Sequence, residues 1–238
     1  MIIVLVTNIS SPIWAQQGIA FLNTSESLIE STFTIEQQDI VLPFDLDRGM
    51  IYVEAKVEDQ EGQFILDTGA PSLVLNEKPE VVDNNPYLAQ SCSADVNIGL
   101  KQIEHFSWAG GQMKELEAIT LDLSHLESAR SARVDGMIGY DILKSKTLLF
   151  DFEQETLALI RPRSWKKWAD KPPVASIPFV LVGHLPTIEA QLNGRTIRLG
   201  LDTGAASNLL AEEVASYFGQ GRAPQETIAE IQGLDQTV

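Results

Sequence analysis

Two aspartates in identical local sequences are the residues of this chain that could perform acid–base chemistry together. Asp67 opens the tetrapeptide Asp-Thr-Gly-Ala, and Asp202 opens the same tetrapeptide 135 positions later. Each lies between apolar runs, where an isolated ionised carboxylate would be costly. Two carboxyl groups held close together do not both ionise readily, so they tend to share one proton. Such a pair could activate a water as base and protonate a leaving amine as acid, without a covalent intermediate.

The two tetrapeptides belong to a longer internal repeat. At the same offset, residues 42–44 (Leu-Pro-Phe) align without a gap on residues 177–179 (Ile-Pro-Phe), and residues 53–55 (Val-Glu-Ala) align on residues 188–190 (Ile-Glu-Ala). Apolar runs on either side of a glycine-containing turn predict strands that enter and leave each turn. The period is far longer than that of a solenoid repeat. We therefore expect a duplicated unit of strands that gives two lobes.

These motifs, together with Gly-Met-Ile-Gly-Tyr-Asp-Ile-Leu at 136–143, resemble the retropepsin-like and pepsin-like aspartic peptidases, in particular bacterial members with two Asp-Thr-Gly lobes. The resemblance covers residues 43–162 and part of 178–238. It implies an all-β acid-protease (retropepsin-like) fold of two homologous β-barrel lobes, the second of them truncated. It also implies that residues 137–139 lie on a strand that crosses beneath the first active-site turn and is followed by a short helix.

The resemblance gives the residues of both turns their expected roles. Asp67 and Asp202 would be the catalytic pair of an aspartic endopeptidase that acts on a peptide or protein substrate. The threonines would hydrogen-bond across between the turns, and the glycines would let backbone amides approach the aspartates. The residues expected to support the two turns are Thr68, Gly69, Ala70, Thr203, Gly204 and Ala205. In the family a glycine-rich hairpin tip covers the substrate, and the candidates for that flap are Trp108, Gly110 and Gly111, with an ordinary hairpin turn as the alternative.

The sequence divides into five segments of different character. They are 1–16, a signal peptide or a plain N-terminal strand; 17–42, an N-terminal strand segment; 43–162, the first lobe; 163–176, a basic and aromatic linker; and 177–238, the second lobe. The second lobe is about half as long as the first, so we expect it to be incomplete. The apolar run at the start is too short to span a membrane, and we expect no stable membrane insertion.

Composition limits the partners and cofactors. A formal net charge of −16 argues against a nucleic-acid partner, because phosphate binding needs clustered Lys and Arg. The single cysteine, Cys92, permits no intrachain disulfide, which fits either a periplasm or a cytosol. The three histidines lack the spacing of a zinc site, and we predict no metal and no other cofactor. A functional signal peptide would make the protein periplasmic or secreted, and the cytoplasm remains the alternative.

Three functional hypotheses follow from these features. In the first, both lobes of one chain form the aspartate pair of an endopeptidase. In the second, like lobes of two chains form it in a homodimer, because the second lobe looks incomplete. In the third, the chain is a catalytically inactive peptide-binding protein that retains the fold. The presence of Asp, Thr and Gly in both copies favours catalysis, since a binding protein has no evident need for two carboxylates in its groove.

Overall fold

The computed structural model describes residues 2–6, 33–35, 39–79, 88–90, 95–144, 146–160, 175–208 and 214, and the predicted all-β class is confirmed within them. The strands in chain order are β1 Ile2–Val6, β2 Thr34–Ile35, β3 Asp39–Pro43, β4 Asp45–Asp47, β5 Met50–Val57, β6 Gln60–Leu66, β7 Val74–Asn76, β8 Leu88–Gln90, β9 Asp95–Asn97, β10 Gly99–Trp108, β11 Gly111–Leu121, β12 Gly136–Ile138, β13 Thr147–Asp151, β14 Thr156–Ile160, β15 Val180–Val182, β16 Leu185–Leu192 and β17 Arg195–Gly200. Two short helices accompany them, α1 Ser124–Arg130 and α2 Tyr140–Leu143. Most of the predicted linker, Cys92, and residues 209–238 other than Val214 lie outside the described residues.

Six strands of the first lobe close into a barrel. Its strand order is β10-β11-β7-β12-β6-β5, and pairing between β10 and β5, with Phe106 opposite Val57, completes the ring. The barrel leaves neither β5 nor β10 as an open edge where they pair. The duplicated strands around the first Asp-Thr-Gly turn are therefore part of a rigid, cross-paired frame.

Successive side chains of β5 and β6 point to opposite faces of the sheet and so belong to two separate core clusters. Ile51 and Val53 pack with Phe64 on one side of the sheet, whereas Tyr52 and Ile65 pack on the other. All five side chains are at most 3% exposed. This is the two-residue period of a strand whose two faces are both covered. Asp67 is the residue after β6, whose last residues are buried and apolar, so its carboxyl group lies at the edge of the apolar core.

The strand and helix expected beneath the first turn are present. β12 runs parallel to β6, and the Asp67 N–H donates to Ile138 O at 3.0 Å. Gly139 then packs so closely that a Cβ there would lie 2.6 Å from Ala70 O. At the start of α2, the Tyr140 N–H donates to that same carbonyl at 2.9 Å. The turn is thus held from below by backbone that only glycine lets approach.

A separate four-stranded sheet joins the two ends of the first lobe. Its order is β1-β13-β14-β3, and the predicted hairpin of β13 and β14 forms its centre. The apolar N-terminal run supplies β1, which pairs with β13, and β3 pairs with β14. β2 instead pairs with β11 of the barrel. Sequence alone predicted strands before residue 43 but did not indicate which sheets they would join.

The described part of the second lobe repeats the hairpins that precede the first turn. β15, β16 and β17 form an antiparallel sheet in that order, equivalent by the 135-residue offset to β4, β5 and β6. Its strands are more exposed than their counterparts, and all three residues of β15 are exposed. No helix among the described residues is long and apolar enough to cross a membrane.

Candidate active site

The first Asp-Thr-Gly turn folds around its own aspartate. Asp67 is only 8% exposed, and its Oδ1 accepts the N–H groups of Gly69 at 2.7 Å and Ala70 at 3.1 Å. These bonds fix the carboxyl group at the end of β6. They also replace part of the hydration that the carboxylate loses on burial.

The second turn repeats this local geometry in a more open setting. Asp202 Oδ1 accepts the Gly204 N–H at 2.9 Å, as Asp67 accepts that of Gly69. Unlike Asp67, Asp202 is exposed. The Leu201 N–H just before it donates to Pro186 O at 2.8 Å, which ties the turn to β16. Identical tetrapeptides therefore place one carboxyl group in the protein interior and the other at the surface.

Thr68 and Thr203 join the two turns by reciprocal hydrogen bonds, as the family resemblance implies. The backbone N–H of each threonine donates to the hydroxyl of the other at 3.1 Å. Each hydroxyl in turn donates at 2.6 Å to a carbonyl of the opposite strand, Thr68 to Leu201 O and Thr203 to Leu66 O. Because each hydroxyl both accepts and donates, these four bonds fix the two turns in register.

Each carboxyl group lies against the glycine of the opposite turn. A Cβ on Gly69 would lie 2.7 Å from Asp202 Cγ, and a Cβ on Gly204 would lie 2.6 Å from Asp67 Oδ1. Any side chain at either glycine would displace the facing aspartate. Each carboxyl group therefore lies beside the turn that carries the other. The structure thus brings Asp67 and Asp202 of one chain together.

This environment favours the protonated form of Asp67. Burial is the largest cause, followed by the charge of Asp202 and the hydrogen bond with it, and together they raise the pKa of Asp67 from 3.8 to about 8. The N–H groups of Gly69 and Ala70 act in the opposite direction. A pair of this kind titrates as a unit and retains one proton over the range in which ordinary carboxyl groups are ionised.

No family model matches this chain, and no curated protein matches it. A solved structure that does match is a retropepsin-like aspartic protease from Rickettsia conorii, with 15% identity, a TM-score of 0.33, and coverage of 54% of this chain and 94% of that one. A match this distant says nothing about the reaction, so the function has to be inferred from the geometry of the site.

The raised pKa of Asp67 makes stability depend on pH. Between about pH 4 and about pH 8 the folded state binds more protons at this group than the unfolded state, so the free energy of unfolding should fall as pH rises. The slope should approach 1.4 kcal/mol per pH unit for one proton, to order of magnitude. Asp67→Asn should remove this component. Urea unfolding of both proteins at several pH values across that range measures it, and parallel pH profiles would contradict the expectation.

The turn that the sequence offers as a flap has buried residues on both sides and an exposed glycine, Gly110, at its tip. Trp108 is 2% exposed and stacks on Phe33, with ring centroids 6.3 Å apart. Gly111, on the other side of the tip, is buried and pairs with Ile35 of β2. Whether Trp108, Gly110 and Gly111 act as a flap or form an ordinary hairpin turn therefore stays a prediction.

A second cluster of titratable side chains lies on the barrel. Glu58, Glu104 and His105 each offer one potential ligand atom, all within 4.8 Å of one another, and all three residues are exposed. His105 Nδ1 lies 3.7 Å from Glu58 Oε2, and the Glu104 N–H donates to Glu58 Oε1 at 2.8 Å. The contacts of Glu58 with the His105 ring and with the Glu104 backbone account for this grouping. That the protein binds no metal stays a prediction.

One residue of the site has no signal in the sequence. His184 occupies the turn between β15 and β16, and its Nε2 lies 2.6 Å from Gly69 O in the first Asp-Thr-Gly turn. The two residues are 115 positions apart. A lone histidine after a glycine fits no catalytic or metal-binding pattern, and only the folded arrangement of the two lobes brings it to the site.

Proposed function

We propose that this protein is an aspartic endopeptidase whose catalytic pair, Asp67 and Asp202, belongs to one chain. The observation that carries the proposal is the reciprocal bonding of Thr68 and Thr203, which holds the two aspartate turns face to face. The contact of each carboxyl group with the opposite glycine supports it. A pair within one chain also makes a second copy unnecessary for the chemistry, in contrast to the homodimer hypothesis.

The unequal burial of the two aspartates assigns them different roles in this proposal. Asp67, buried, would hold the shared proton, and exposed Asp202 would be the carboxylate that takes a proton from water. The water oxygen would attack the peptide carbonyl carbon as Asp67 gives its proton to the carbonyl oxygen. On collapse of the tetrahedral intermediate, the proton held by Asp202 would pass to the leaving nitrogen, and Asp67 would regain its own from the hydroxyl that becomes the new carbonyl.

Cleavage of an unfolded protein between about pH 3 and about pH 8 tests the proposal, with mass spectrometry of the fragments. We expect internal cleavage that chelators and thiol- or serine-directed reagents leave unchanged. A peptide with a secondary alcohol in place of the scissile carbonyl imitates the tetrahedral intermediate. It should bind at least about 100-fold more tightly than the matched substrate. Cleavage that this compound does not inhibit, or no cleavage by folded protein, would overturn the proposal.

A further inference from the structure

The contact between His184 and Gly69 reaches the aspartate pair through a single peptide unit. Gly69 O can only accept a hydrogen bond, so at 2.6 Å the His184 Nε2 must carry the hydrogen. The carbonyl of Gly69 and the N–H of Ala70 belong to the same planar peptide group. That N–H donates to Asp67 Oδ1 at 3.1 Å. A continuous chain of hydrogen bonds therefore runs from the imidazole through the peptide to the buried carboxyl group.

We propose that His184 is a positioning residue that holds and polarises the Gly69–Ala70 peptide and thereby strengthens its hydrogen bond to Asp67. A donor at the carbonyl end of an amide makes the N–H end a better donor, because the two bonds polarise one another. The same contact resists rotation of the peptide plane, which would carry the Ala70 N–H away from the carboxyl group. His184 acts on Asp67 from the second lobe, so it also couples the position of the hairpin to the chemistry of the first lobe.

The two lobes differ at this point. By the 135-residue offset, His184 corresponds to Gly49 in the turn between β4 and β5. Gly49 also lies against the opposite lobe, where a Cβ would be 3.1 Å from Ala206 O, but it has no side chain to donate. At this pair of equivalent positions, the first turn therefore receives a side-chain donor from the opposite hairpin tip, whereas Gly49 offers none to the second. It is also the turn whose aspartate is buried and has most to gain from a stronger hydrogen bond.

Titratable groups from both lobes meet at this point. Asp67 and Asp202 share the site, and His184 approaches the first turn from the β15–β16 hairpin. From α2 the contact is a backbone one, the Tyr140 N–H to Ala70 O. A stronger bond from the Ala70 N–H stabilises ionised Asp67. Loss of the His184 donor should therefore shift the titration of the pair to higher pH.

The test compares His184→Gln, whose side-chain N–H can still donate, with His184→Ala, which has no donor. The first readout needs no substrate: the chemical shift of the Ala70 amide proton across about pH 3 to about pH 9 reports ionisation of the carboxyl group it contacts. We expect the midpoint of His184→Ala to rise by about 0.5 pH units, and that of His184→Gln to stay near wild type. Exposed His105→Ala is the control and should not change the midpoint.

The second readout is kinetic, and this part of the inference rests on the proposed function. In His184→Ala, kcat should fall about tenfold with little change in KM, and His184→Gln should recover most of the loss. A His184→Ala variant with the wild-type midpoint, or a His184→Gln variant that behaves like His184→Ala, would overturn the inference. If the folded wild type cleaves nothing, the proposed function fails, while the amide titration still decides the role of His184.

Discussion

Asp67→Asn and Asp202→Asn should each abolish peptide cleavage, with kcat reduced by about 1,000-fold or more. Asparagine keeps the size of the side chain but can neither take a proton from water nor release one to a leaving nitrogen. General acid–base catalysis by a positioned group contributes about 100- to 10,000-fold, and each aspartate has both roles in one cycle. Because the two carboxyl groups act as a unit, the double variant should be scarcely worse than either single one.

The same variants separate loss of chemistry from loss of structure. Burying ionised Asp67 is costly, so Asp67→Asn should be at least as stable as the wild type near neutral pH. Asp202 is exposed, and its replacement should change stability little. Asp59→Asn, in the exposed turn between β5 and β6, is the matched control and should keep full activity. Residual cleavage in Asp202→Asn alone would mean that Asp67 finds its partner in a second chain, and size in solution would then show a dimer.

Removing the hydroxyl of Thr68 or Thr203 should lower activity by about 100-fold although both aspartates are still present. Valine has nearly the shape of threonine, but each replacement deletes a donor to a strand carbonyl and an acceptor for the opposite N–H. The two lost bonds are worth about 1 kcal/mol each, with an added cost for the polar groups left unpaired. A misplacement of about 1 Å between the carboxyl groups is enough for a loss of this size.

The matched control for each threonine is serine, which keeps the hydroxyl and loses only a methyl group. We expect Thr68→Ser and Thr203→Ser to retain activity within a few-fold of wild type, and the valine variants to be the impaired ones. Values of kcat and KM for all four, with urea unfolding of each, provide the comparison. Equal activity in the serine and valine variants would show that the hydroxyl bonds do not position the pair.

The threonine bridge was predicted from the resemblance of the two Asp-Thr-Gly-Ala tetrapeptides to the aspartic peptidases. The 135-residue offset that aligns the two tetrapeptides is also the separation of Thr68 and Thr203, which bond across the site. The strand and helix after residue 136 were predicted from the same resemblance, in which two apolar residues followed by glycine lie on a strand beneath the active-site turn. Both signals lie in the local sequence.

Other features depend on contacts between distant parts of the chain. Trp108 has the same local sequence whether its ring is exposed or buried, and its ring stacks on Phe33, 75 positions earlier. The unequal exposure of Asp67 and Asp202 arises in the same way. Their tetrapeptides are identical, but β12 and α2 lie beneath the first of them. His184 joins the site only once the two lobes have met.

The facing glycines have a consequence for how this sequence can change. A side chain introduced at Gly69 would collide with Asp202, and one introduced at Gly204 would collide with Asp67. Each copy of the repeat is therefore constrained by the other. After duplication, two copies of a segment are usually free to diverge, each under its own requirements. Here the two turns cannot diverge independently at these glycines, because each glycine packs against the aspartate of the opposite turn. Gly69 and Gly204, 135 residues apart, are therefore constrained jointly, and a side chain at either of them requires a compensating change in the opposite turn.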